Sequence, residues 1–230
     1  MMNIEYKISR KPRRKTLCIA ISPDNKILVK ANNSISEKDI LSFVRNKENW
    51  IYKTLEFNRN ARKTFRPKQF VVGESFLLLG KQYSLSVQNS AIAAIQLNNQ
   101  QLDAFIPDRF ALQPNYIKNK LISWYKCSAY EVIFGRVNIY KQMLNVQVKE
   151  IMIRDLKRAW ANCSSRGIVT FSWRLVMAPL EIIDYVVAHE LSHLIQHNHS
   201  RLFWQTVEKI KPDYKQCKTW LKVNESTFLW

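Results

Sequence analysis

Every histidine of this 230-residue chain falls between positions 189 and 199. The stretch reads His189-Glu190-Leu191-Ser192-His193-Leu194-Ile195-Gln196-His197-Asn198-His199. His189 and His193 are four residues apart, so on an α-helix they share a face about one turn apart. Two imidazoles at that spacing can chelate one zinc ion. Glu190, beside the first of them, can reach a water on the ion without being a ligand, which is the position of a general base.

Two histidines need a third protein ligand. On a continuous helix His197 would sit roughly 12 Å of rise beyond His189 and His199 roughly 15 Å beyond it. Neither could then share the ion. His199 becomes the third ligand if the helix stops near Gln196 and the chain turns back. Asn198 tolerates the left-handed conformation that such a turn needs. His197 then stays at the surface or behind the ligands, and Glu208 on the following helix is the runner-up. Three protein ligands leave one position for water, whose pKa zinc lowers toward neutrality. Candidate donors for the charge on the attacked oxygen are Arg174, Arg154 and Tyr185. Zinc is the expected ion, although imidazoles also suit nickel, cobalt or iron.

The elements around this stretch must position it. Pro179 suits the first position of a helix, because its missing N–H would have no partner there. The apolar run Ile182 to Ala188 marks that helix, expected to reach about Gln196, as buried. Ser200 can cap a further helix. Upstream, Asn115 to about Met143 reads as one long amphipathic helix, and Val146–Arg154 and Ile168–Val176 as strands. In the first half, Ile4–Ser9, Thr16–Ser22 and Ile27–Ala31 read as strands, with Pro23-Asp24-Asn25-Lys26 as a turn. Helical spacing runs from Ser36, a fair N-cap, to about Arg59. Strand patterns return at Phe76–Leu79, Tyr83–Val87, Ile92–Leu97 and Leu102–Ile106, and a linker is expected from Pro107 to Pro114. The fold class is therefore α+β. The expected domains are residues 1–110, β-rich with one long helix, and residues 111–230, mainly helical with a small sheet and the metal site.

With 47% hydrophobic and 23% charged residues the composition is that of a globular protein and excludes a disordered one. Lys and Arg number 36 against 18 Asp and Glu, a net charge of +18 that draws anionic partners. The densest basic run is Arg10-Lys11-Pro12-Arg13-Arg14-Lys15. The scattered cysteines, Cys18, Cys127, Cys163 and Cys217, form no CxxC pair and argue against a disulfide framework. No secretory signal and no run of 18 apolar residues is visible, so the expected location is the cytoplasm, with no membrane span.

The segment Asp184 to Trp204 resembles the YgjP-like metallopeptidase family, with its D-Y-V-x-x-H-E-L-x-H run followed by N-H-S-x-x-F-W. Asn198, His199, Ser200, Phe203 and Trp204 all fit. So do Trp160, Cys163 and Ser164, then Trp173-Arg174-Leu175 and Ala178-Pro179, and, toward the N-terminus, Arg13 to Leu17, Trp50-Ile51 and Leu79-Gly80-Lys81 with Tyr83. The chain departs from the family pattern at Ala159 (usually Arg), Ala161 (Gly), Asn162 (Ser) and Ser172 (Asn). The resemblance implies a zincin-type core, a helix carrying HExxH packed on a small sheet. In such cores an edge strand binds an extended peptide by adding it to the sheet. Ile168–Val176 is the candidate strand, and Cys163 is a structural thiol rather than a nucleophile or ligand. The expected function is a zinc-dependent metallohydrolase, first of all a metallopeptidase acting on peptide or protein. The alternatives are a nucleoside triphosphate pyrophosphatase, or a metal protein associated with nucleic acid or another polyanion through its basic surface.

Overall fold

The computed structural model describes residues 4–22, 24–64, 67–156, 159–228 and 230. Among them it is a mixed α+β structure of seven α-helices and three small sheets. The chain divides into two units, Met1–Arg66 and Pro67–Trp230. The domain boundary expected after residue 110 falls inside the second of them.

In the first unit, β1 (Lys7–Arg10), β2 (Cys18–Ile21) and β3 (Ile27–Ala31) precede α1 (Glu37–Asn46) and α2 (Glu48–Thr64). The sheet order is β1-β3-β2, with β3 parallel to β1 and antiparallel to β2. Along β3 the side chains alternate as a period of two requires: Ile27, Val29 and Ala31 are buried against Ile40, Val44 and Ile51 of the helices. Ser36 caps α1, its Oγ accepting from the Asp39 N–H at 3.1 Å. The single helix expected from Ser36 to residue 59 is two. Lys47 leaves the helical region (φ −104°, ψ 7°) and its N–H bonds back only three residues, to Val44 O, before α2 restarts. Pro23 of the expected turn lies outside the described residues.

The second unit opens with β4 (Ser75–Leu78), β5 (Lys81–Asn89), β6 (Ala94–Asn98) and β7 (Gln101–Ile106), in the order β4-β5-β7-β6. The short α3 (Asp108–Ala111) leads into α4 (Pro114–Leu144), which starts on Pro114 and ends on Asn145 in the left-handed conformation. On α4, Ile117, Leu121, Tyr125, Ala129, Ile133, Val137 and Tyr140 form one buried stripe at spacings of four and three. Then come β8 (Glu150–Arg154), β9 (Ala161–Cys163), β10 (Ile168–Ser172) and a 3-10 turn, Trp173–Met177. The helices α5 (Leu180–Ser192), α6 (Arg201–Ile210) and α7 (Tyr214–Asn224) follow. None of the described helices is long and apolar enough to cross a membrane.

This core encloses α5. Ile182 to Ala188 and Glu190 to Ser192 are all buried, so the helix is enclosed on almost every side. Fully buried Ile183, Val187 and Leu191 each contribute roughly 1.5–3 kcal/mol of apolar burial. The β4–β5 turn presses on its start. Leu79 and Gly80 are both left-handed (φ 49° and 76°), the pattern of a two-residue hairpin turn. Their N–H groups donate to Val176 O at 2.8 Å and Met177 O at 3.0 Å. A Cβ on Gly80 would stand 2.8 Å from Pro179 Cγ, so only glycine fits there. On α4, Arg136 grips Asp184 of α5 with two nitrogens, Nε on Oδ1 and Nη2 on Oδ2, the latter at 2.8 Å. Asp184 is 9% exposed. Arg136→Met would strand its carboxylate in the core, where breaking a buried pair costs several kcal/mol. Because a quarter of the Arg136 side chain is exposed, the expected loss is at the low end, roughly 3 kcal/mol. Chemical denaturation measures it, and a loss below about 0.5 kcal/mol would show that the pair does not secure α5.

Candidate metal centre

The helix α5 carries His189 and Glu190 on its last turn and hands His193 to the turn that follows. That turn begins four residues earlier than the spacing predicts. The N–H groups of His193, Leu194 and Ile195 bond three residues back, to Glu190 O, Leu191 O and Ser192 O, so the backbone tightens through Ile195, and the Gln196 N–H, four residues on from Ser192 O at 2.9 Å, closes the turn. Asn198 is not left-handed as expected. It turns the chain with its side chain, Oδ1 accepting from the Ser200 N–H at 3.3 Å. Ser200 then caps α6, its Oγ accepting from the Phe203 N–H at 3.4 Å. The reversal brings His199 back over α5.

His189, His193 and His199 converge. One ring nitrogen from each can be chosen so that all three lie within 4.8 Å of one another, and Nε2 of His199 stands 3.1 Å from Nε2 of His189. Two nitrogens on one tetrahedral zinc are ~3.3 Å apart, so His189 and His199 stand near that spacing, with a nitrogen of His193 close enough to be drawn onto the same ion. His193 keeps Nδ1 near Gln196 O at 3.2 Å, the kind of contact that orients a metal-binding imidazole. Burial first, then the neighbouring His193 and His199, hold the His189 imidazole down to about 3. It is therefore neutral at physiological pH, the form that binds metal. Burial likewise lowers His193. His197 lines the same cleft but stands outside the triad, and Glu208 is turned toward Lys215 at 3.6 Å.

Glu190 is 7% exposed, and burial pushes its carboxyl up to about 7. A carboxylate poised there can take up and release a proton near neutrality. It shares with the histidines a cleft of about 330 Å³ whose opposite wall is β9: Ala161, Asn162 and Cys163. Burial, reinforced by Glu190, raises the Cys163 thiol to about 11, so it stays protonated. Arg174 pairs with Asp155 and lies over the Trp173 ring, Arg154 reaches Met152 Sδ, and Tyr185 is buried beside His189. None of these three expected donors lines the cleft.

The strand expected to receive substrate is not at an edge. β10 lies between β8 and β9, so both of these are edges, and β9, a strand absent from the spacing pattern, is the edge that lines the cleft. The Ser172 N–H donates to Trp160 O at 2.8 Å and the Ser164 N–H to Ile168 O at 2.9 Å, with Asn162 opposite Thr170. Residues 160, 162 and 164 therefore turn their backbone groups toward β10, and Ala161 and Cys163 turn theirs to the open side.

The model of the YgjP-like metallopeptidase domain matches residues 15–224. Among solved structures, a metallopeptidase zymogen from Pyrococcus abyssi, abylysin, is 28% identical and has a TM-score of 0.37. The match covers 39% of this chain and 90% of that one. Another zymogen, jannalysin from Methanocaldococcus jannaschii, is 22% identical with a TM-score of 0.36, over 39% of this chain and 92% of its own. Among curated proteins none matches.

The geometry separates the two histidines near the turn. His199→Ala is expected to weaken zinc binding by more than the 10–100-fold that outer partners of a metal site contribute, and His197→Ala to leave it unchanged. Chelator competition against the wild type measures both, and equal loss in the two variants would contradict the assignment.

Proposed function

We propose that this chain, which belongs to the YgjP-like metallopeptidase family, hydrolyses peptide bonds with Glu190 as general base beside a divalent ion, zinc first, held by His189, His193 and His199. The observation that carries this reading is the convergence of three imidazoles beside a carboxyl at about 7. When bound, the ion supplies Lewis-acid chemistry: it acidifies water and polarises a carbonyl. Glu190 takes the proton of the attacking water on its carboxylate and delivers it to the departing amine nitrogen. Its burial favours both transfers, because neither protonation state is strongly preferred near neutral pH.

The substrate lies extended along β9. The N–H and C=O groups of Ala161 and Cys163, which have no hydrogen-bond partner among the described residues, pair with its main chain, as in strand addition to a sheet edge. Their side chains point the other way from Asn162, on the face of buried Val169 and Phe171, so the edge stays open to a backbone. A nucleotide fits less well. Among the described residues of the cleft wall there is no Lys or Arg to pair with a triphosphate. The packing of an HExxH helix near a small sheet suits the zincin type of core. The four free cysteines suit a reducing compartment such as the cytoplasm.

Glu190→Gln is expected to lower turnover of an unfolded protein substrate about 10²- to 10⁴-fold while zinc content stays at the wild-type level. Retention of full turnover would remove Glu190 as the base. Ala161→Pro deletes one free N–H without touching a ladder bond to β10, and is expected to raise KM about tenfold, the worth of one hydrogen bond. An unchanged KM would show that substrate does not pair with β9.

A further inference from the structure

One phenyl ring stands among all three imidazoles. The Phe203 centroid is 4.9 Å from that of His189, 4.5 Å from His193 and 4.8 Å from His199. The side chain is fully buried. Trp204 adds a second wall, 5.6 Å from His189 and 5.7 Å from His199, nearly parallel to the latter at 27°. Trp204 is itself pinned, stacked on Tyr214 at 5.2 Å with Lys218 Nζ 4.4 Å from its ring.

A metal-binding imidazole is ordinarily aimed by a hydrogen bond to its other nitrogen. His193 has such a contact, to Gln196 O. His189 does not: its Nδ1 is buried with no hydrogen-bond partner among the described residues. What restrains its ring is aromatic packing, from Phe203, Trp204 and Tyr185 at 6.0 Å. Phe203 alone of these touches all three rings. The Ser200 cap fixes its place, since the Phe203 N–H is the group that Ser200 Oγ receives.

We propose that Phe203 is the positioning residue of the metal centre, holding the three imidazoles converged so that little rotational freedom is lost when the ion binds. This rests on the reading that the triad holds a divalent ion. A site whose ligands are locked by packing pays less ordering entropy on binding than one whose rings turn freely. Phe203→Leu keeps an apolar side chain but removes the flat ring, and lets His189, with no hydrogen bond at Nδ1, rotate out of line.

The test uses the full chain and two ions. Zinc affinity is measured by chelator competition, and the geometry of the centre by the visible absorption of the cobalt-loaded protein. Phe76→Leu is the control: Phe76 is 1% exposed in the same unit, and among the described residues its ring meets Phe70, Trp230 and Lys68 Nζ rather than a histidine. Phe203→Leu is expected to weaken zinc about 10- to 100-fold, as loss of an orienting partner does, and to alter the cobalt bands. Phe76→Leu is expected to lower thermal stability and leave both readings at wild type. If Phe203→Leu does not fold, Phe203→Met carries the same expectation. Wild-type affinity and an unchanged cobalt spectrum in a folded Phe203 variant would reduce Phe203 to a core residue and overturn the proposal. Equal zinc binding by wild type and His199→Ala would instead overturn the triad reading beneath it.

Discussion

Two imidazoles one helical turn apart cannot enclose an ion, and a straight helix carries every later residue away at about 1.5 Å per position. The candidate centre therefore depends on a reversal of the chain between His193 and His199. The reversal is built from ordinary parts: three backbone bonds that tighten the end of α5, the Asn198 side chain accepting from the Ser200 N–H, and the Ser200 cap on α6. Each satisfies backbone groups that a helix end leaves open. Together they return His199 to within 3.1 Å of His189.

A reversal is useful only if the helix beneath it does not move. The helix α5 is enclosed by apolar side chains, tied to α4 through Asp184 and Arg136, and met at its start by the Leu79-Gly80 turn. The same enclosure supplies the electrostatics. Taking His189 and Glu190 out of water disfavours their charged forms, which keeps the imidazole neutral and brings the carboxyl toward neutrality. One cause, burial, thus prepares two groups with opposite charge habits for different tasks.

Much of this was legible in the residues. The i, i+4 histidines and the helical rise limit ranked His199 above His197, and Ser200 and Pro179 marked the helix starts. What was illegible has physical reasons. Whether the last turn of α5 stays α-helical depends on bonds that shift from four residues back to three, which leaves no mark on the apolar pattern. β9 has three residues, too few to display a period of two, so of these two strands the sequence pattern marks only the longer β10, which β8 and β9 flank. The break at Lys47 is equally silent, because α1 and α2 keep helical spacing of Ile40, Val44 and Ile51 across it. Phe203 reads in sequence as one more core residue, and its place among three histidines is a tertiary fact.

The most direct measurement is anomalous diffraction at the zinc edge from crystals of the zinc-loaded chain. One ion per chain is expected, with ring nitrogens of His189, His193 and His199 as its protein ligands and the Glu190 carboxylate near it but not bound. An ion seated elsewhere, or one that takes His197 or Glu208 in place of His199, would contradict it.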